Sequence, residues 1–186
     1  MALTPSNMIP LGTPAPKFSL TDVVSNSQIE LEKYRGKKAV VLMFICNHCP
    51  YVKHIQEGLV ALSSDYASNK DVAFIAISSN DVENYPEDSP EKMKELALKY
   101  GYKFPYCFDE TQEVAKAYKA ACTPDFYILD SDLKIAYRGQ MDDSRPGNGT
   151  PVSGSDLRIA IDALLNGTEL SQLQKPSIGC NIKWKA

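Results

Sequence analysis

The chain has 186 residues, 44% of them hydrophobic, with five cysteines and a formal net charge of -3. That length suits one domain with a sizeable core, which needs no disulfide framework to fold. The charge balance gives no basic field for a nucleic acid, and the longest apolar run, Ala39 to Cys46, is too short to span a bilayer.

The opening stretch, MALTPSNMIPLGTPAPKF, lacks a charged start and an apolar segment, so no secretory leader is read there and a cytoplasmic location is expected. Cysteines of that compartment are held as thiols. Lys38 to Ile45 (KAVVLMFI) is a continuous apolar, β-branched run, which predicts a strand buried on both faces of a sheet. Val52, Ile55, Leu59 and Leu62 then recur at helical spacing, so a helix is predicted over Cys49 to Tyr66. Val72 to Ser78 reads as a second buried strand. The next helix, EKMKELALKY, is opened by Ser89 and Pro90 and closed by Gly101.

After Phe104 to Phe108 a short helix is predicted over Gln112 to Ala120. Phe126 to Leu129 and Lys134 to Arg138 read as an antiparallel hairpin around the turn residues Asp130, Ser131 and Asp132. A loop, GNGTPVSG, leads to a last helix from Ser155 to Leu165, stopped by Asn166-Gly167. The final twenty residues have no periodicity and are expected to pack as an irregular arm. Alternating strands and helices followed by a hairpin predict an α/β chain with a central mixed sheet and helices on both faces. It is read as a single domain over 1–186, with its core at about 11–167 and its arm at 168–186.

Chemistry concentrates in FICNHCPY, residues 44 to 51. Cys46 is expected just past a buried strand and Cys49 in the first turn of the following helix. The free N–H groups and the dipole there favour a thiolate, which this reading assigns to Cys46. Cys46 is then the attacking thiol and Cys49 the resolving one, with His48 lowering the Cys46 pKa as an imidazolium. A zinc site would need a second pair at ligand spacing, whereas Cys107, Cys122 and Cys180 stand singly, so no metal is expected. Cys107, in FPYCF, reads as a buried core residue.

A second signal is Ala121-Cys122-Thr123-Pro124 ahead of DFYIL. The proline is either a strand-edge residue or part of a cis Thr123-Pro124 bond whose backbone pairs with an extended substrate, and the sequence leaves both open. Cys122 and Cys180 are auxiliary thiol candidates, Cys180 as a resolver of oxidised Cys49 or Cys46.

A strand ending in CxxCP, then a helix, then a Thr-Pro pair opening a hairpin and a terminal helix, resembles the thioredoxin-like superfamily. LGTPAPKFSLTD is similar to the N-terminal hairpin of redoxins. FICNHCPYVKH, YRGQMDDSRP and SIGCNIKW are closer still to a peroxiredoxin-like group of the AhpC/TSA type. The resemblance covers nearly the whole chain and implies a thioredoxin-like fold with an N-terminal hairpin extension. It also implies redox chemistry at Cys46, Cys49 and Pro124. In that group Cys49 lines up with the peroxide-attacking cysteine.

Peroxiredoxins place a threonine three residues before that cysteine and a proline further upstream; here Cys46 occupies the first position and Ala39 to Ile45 contains no proline. Arg138 and Arg145 are the candidate arginines for a peroxide pocket. Thioredoxin's buried aspartate and its tryptophan before the motif are also absent, leaving His48, Lys53 or water to take the Cys49 proton. A histidine before the second cysteine resembles the oxidant DsbA and implies a couple more oxidising than thioredoxin's ~-270 mV.

The expected function is thiol-disulfide exchange by Cys46, Cys49, His48, Thr123 and Pro124, without a cofactor. The expected partners are protein or small thiols and disulfides, with the protein a monomer or dimer. Thiol-dependent peroxide reduction is the alternative, and a metal-binding or redox-silent module the third reading.

Overall fold

A computed structural model describes residues 3–186. Ten strands and four helices follow in chain order: β1 (Leu3–Pro5), β2 (Ser19–Asp22), β3 (Gln28–Glu30), β4 (Ala39–Phe44), α1 (Pro50–Asp65), β5 (Val72–Ser78), α2 (Pro90–Tyr100), β6 (Tyr106–Phe108), α3 (Glu113–Ala117), β7 (Cys122–Thr123), β8 (Asp125–Leu129), β9 (Ile135–Gly139), α4 (Ser155–Asn166) and β10 (Ile178–Asn181). Seven strands form one mixed sheet in the order β3-β2-β6-β5-β4-β8-β9, and a second sheet runs β1-β10-β7. β4 lies at the centre of the first, parallel to β5 and antiparallel to β8.

The continuous apolar run of β4 follows from that position, because both its faces are covered. Val41 and Met43 face a cluster that includes Val52, Ile55, Leu59 and Leu62 of α1, Met93 of α2 and Leu157 and Ile161 of α4. Val40, Leu42 and Phe44 face the other cluster, with Ile75, Ala115, Tyr118 and Tyr127. Each such aliphatic side chain contributes about 1.5–3 kcal/mol when fully buried. This central strand is therefore a rigid base for the cysteine loop that leaves its C-terminal end.

Most predicted boundaries hold within a few residues. Ser89 caps α2 by accepting from the Lys92 N–H, and Gly101 ends it in the left-handed region at φ 67°. β2 and β3 form the N-terminal hairpin. Two expectations change. α1 starts at Pro50, so Cys49 is its N-cap rather than a residue of its first turn. The arm expected to be irregular closes on β10, a strand between β1 and β7. No helix among the described residues is long and apolar enough to cross a membrane.

Candidate active site

The end of β4, the N-terminus of α1, the Thr123-Pro124 corner and β10 meet at one point. Pro50 at the first helical position forfeits an N–H that has no intrahelical partner there, so α1 can start directly behind Cys49. Thr123-Pro124 is cis and sits between β7 and β8. The Cys46 sulfur lies 3.3 Å from Thr123 Oγ1. The Cys49 sulfur lies 3.2 Å from the Thr123 carbonyl, which accepts from it while Cys49 is a thiol. Cys180 completes the group, its sulfur 2.8 Å from that of Cys49. All three cysteines are buried: Cys46 is 1% exposed, Cys49 0% and Cys180 4%.

The pKa directions in this cluster favour charge on Cys49 over Cys46 and Cys180. A hydrogen bond from the Cys46 thiol holds the Cys49 pKa well below the ordinary thiol value, and it outweighs the opposing cost of burial with help from the Cys180 thiol and the Val52 N–H. The Val52 N–H does this without closing a full capping bond. Cys46 moves the other way: donating to Cys49 raises it, and burial and the nearby Asp88 carboxylate raise it further. The Cys180 thiol is also pushed up, by burial and by its bond to Cys49. These directions run against the expected thiolate at Cys46 and favour Cys49. The physical reason is donation from Cys46 to Cys49, with burial and the Asp88 carboxylate adding to the cost of a charge on Cys46.

His48 is held by Asp88 and Tyr85, two residues far from it in the chain. Its Nδ1 donates to Asp88 Oδ2 at 2.6 Å, and its ring stacks on Tyr85 at 5.3 Å. Asp88 has no exposed side-chain surface. Its Oδ1 also accepts from the backbone N–H groups of Asn47 and His48, and its Oδ2 from Asn80. Burial opposes ionisation of Asp88, but the bonds from His48, Asn80 and the Asn47 backbone prevail and hold its pKa below the usual carboxylate range. His48 Nε2 is buried without a partner. Cys46, His48 and Asp88 place one donor atom each within 4.8 Å of one another, a set of atom types that zinc accepts. Both Asp88 oxygens and His48 Nδ1 are already committed to one another and to neighbouring donors, so the arrangement fixes the imidazole tautomer.

The other sequence candidates lie elsewhere. The Cys122 thiol donates to the Pro124 carbonyl at 3.7 Å and has no hydrogen bond to the pair. Cys107 is buried in β6, its pKa pushed up to about 12 by burial. Arg138 donates to the Ile9 carbonyl and Gln174, and Arg145 to the carbonyls of Asp142 and Ser144 and to Gln140. Neither guanidinium is bonded to a cysteine of the cluster. Lys53 is exposed on α1.

The AhpC/TSA family profile matches residues 11–138. Among solved structures, an uncharacterized conserved protein of Geobacillus kaustophilus is 61% identical, covering 100% of this chain and 97% of its own, with a TM-score of 0.96. A hypothetical protein of Sinorhizobium meliloti is 47% identical over 98% of this chain and 99% of its own, with a TM-score of 0.95. A secreted Mycobacterium tuberculosis disulfide oxidoreductase homologous to E. coli DsbE shares the fold at 17% identity, with 78% and 95% coverage and a TM-score of 0.61. No curated protein matches.

Proposed function

This chain belongs to the AhpC/TSA family and has a thioredoxin-like fold; from that premise we propose that it is a thiol-disulfide oxidoreductase whose couple is Cys46 and Cys49. The observation that carries this reading is the gathering of both sulfurs on Thr123 at the start of α1, that of Cys46 3.3 Å from its Oγ1 and that of Cys49 3.2 Å from its carbonyl. The Cys49 thiolate attacks a disulfide RSSR, forming Cys49-S-SR and releasing RS⁻. Cys46 then attacks the Cys49 sulfur and releases the second RS⁻, with its own proton passing to His48 or to the departing thiolate. The products are the Cys46–Cys49 disulfide and two thiols. Asp88 holds the imidazole orientation during this step. Thr123 keeps both sulfurs in register with the corner that ends at Pro124.

Near-complete burial of the cysteines favours low-molecular-weight disulfides over folded proteins as substrates. Peroxide reduction is less well supported, because the threonine and proline of the peroxide pocket are missing from the sequence and both candidate arginines are bonded elsewhere. The test is a disulfide-reductase assay with oxidised glutathione beside a hydroperoxide-consumption assay. Turnover of the disulfide that is lost in Cys49→Ser and lowered in Cys46→Ser supports the reading. Fast hydroperoxide consumption without disulfide turnover overturns it.

A further inference from the structure

β10 occupies the edge of the Thr123-Pro124 corner by strand pairing. Cys180 stands opposite Thr123 and Asn181 opposite Cys122 in an antiparallel register. An extended partner that adds to an exposed strand edge binds in this way, through backbone hydrogen bonds with side chains alternating between faces. The approach is close enough to restrict the sequence: a Cβ on Gly179 would sit 2.0 Å from the Thr123 carbonyl oxygen. Only glycine fits that position without moving one strand.

Both flanks of β10 are fastened. On one side Ser177 Oγ donates to the Pro124 carbonyl and the Ser177 N–H to Ser6 Oγ, while Ser6 Oγ donates to Asp125. On the other, the Lys183 N–H donates to Asn80, the Lys183 carbonyl accepts from Gln112, and the Lys185 N–H donates to Gln112. The result places a cysteine of the chain itself where a bound partner's cysteine would lie, 2.8 Å from the Cys49 sulfur, against about 2.05 Å for a disulfide bond.

We propose that Cys180 is a third redox thiol and β10 a resident substrate strand: oxidation of Cys49 by a low-molecular-weight disulfide is followed by formation of a Cys49–Cys180 disulfide. This rests on the reading that Cys49 exchanges disulfides. In the first step Cys49-S⁻ and RSSR give Cys49-S-SR and RS⁻. In the second, the sulfur of Cys180 attacks that of Cys49. The Cys49–Cys180 bond forms, the Cys49–SR bond breaks, and RSH departs with the Cys180 proton. Two electrons pass from the two cysteines to the external disulfide. Capping of Cys49 removes the charge to which the Cys180 thiol donates, and leaves burial as the cause that still holds Cys180 protonated. Cys180 and Cys46 thus compete for the same sulfur, one from the strand and one from the loop.

Disulfide mapping of the full chain tests this. Reduced protein is incubated with oxidised glutathione, quenched in acid, and digested without reductant for mass spectrometry, as wild type and as Cys46→Ser, with circular dichroism verifying the fold of the variant. A peptide joining Cys49 to Cys180 is expected in the wild type, and it becomes the main oxidised species in Cys46→Ser. Cys46–Cys49 disulfide in the wild type with Cys180 always free overturns the proposal while leaving the exchange reading intact. Wild-type protein in which Cys49 never enters a disulfide overturns both.

Discussion

The Cys49 sulfur lies 2.8 Å from that of Cys180, a contact made across 131 residues of sequence. It joins two further influences at one atom: the Cys46 thiol on the preceding loop and the N-terminus of α1. Three donors around one buried sulfur stabilise its anion more than burial opposes it. Donation to Cys49 with burial raises Cys46, and burial with the bond to Cys49 raises Cys180.

The Cys49 thiolate should persist well below the ordinary thiol pKa of about 8.5. Thiolate ultraviolet absorbance is expected in the reduced wild type at pH 6 and absent in Cys49→Ser. Cys46→Ala removes the strongest donor and should move the titration upward. An unchanged titration in Cys46→Ala would contradict the assigned hydrogen bond.

A stabilised thiolate favours the reduced dithiol and makes the couple more oxidising, as in DsbA. Equilibration with glutathione buffers should give a potential above thioredoxin's ~-270 mV. An equal or lower value would mean that the oxidised form is stabilised as strongly.

Asp88 and Asp125 predict pH effects of opposite sign in separate windows. The folded pKa of Asp88 is depressed, so its stabilisation is present above the unfolded value of about 3.9 and is lost as pH falls through the folded pKa. Asp125, on β8 beneath Ser6, is raised to about 7 by burial, which exceeds the help from Ser6 and Tyr127. Its contribution is full below about 3.9 and is lost as pH rises toward 7. Denaturant titrations of Asp125→Asn should lose the decline between pH 4 and 7, and those of Asp88→Asn the decline at lower pH. Asp88→Ala leaves several buried donors unpaired and should cost ~3 kcal/mol or more.

The parts of this protein that were legible in its sequence are those set by local pattern. KAVVLMFI identifies a strand covered on both faces, and Ser89-Pro90 with Gly101 bounds α2 almost to the residue. Residues whose role depends on distant partners were hidden. Asp88 lies 40 residues from His48 in a short turn before α2, where its charge resembles that of any helix start. β10 is four residues long with a glycine inside it, and its partners β1 and β7 lie far away in the chain, so SIGCN offers no strand alternation to read. Cys46 and Cys49 were visible from their spacing, but the balance of charge between them depends also on Cys180 and Asp88, whose approach no local pattern announces.

Removing Cys49 should lower turnover of oxidised glutathione on the order of 10³-fold or more, as loss of a nucleophile does elsewhere, whereas Cys46→Ser should keep the part that Cys180 resolves. The two variants should differ in a single turnover. Cys46→Ser retains the first, bond-forming step, whereas Cys49→Ser does not. His48→Gln, which removes the imidazole but leaves Cys49 in place, should slow the second step more than the first.

Trapping of the mixed disulfide identifies the attacking cysteine. Reduced Cys46→Ser and Cys49→Ser proteins are mixed with oxidised glutathione, and the first covalent adduct is located by rapid acid quench and mass spectrometry. Attachment is expected at Cys49 in Cys46→Ser at a rate near that of the wild type, with no adduct at Cys46 in Cys49→Ser on the same timescale. Rapid attachment at Cys46 when Cys49 is absent would contradict it and return the attacking role to the first cysteine.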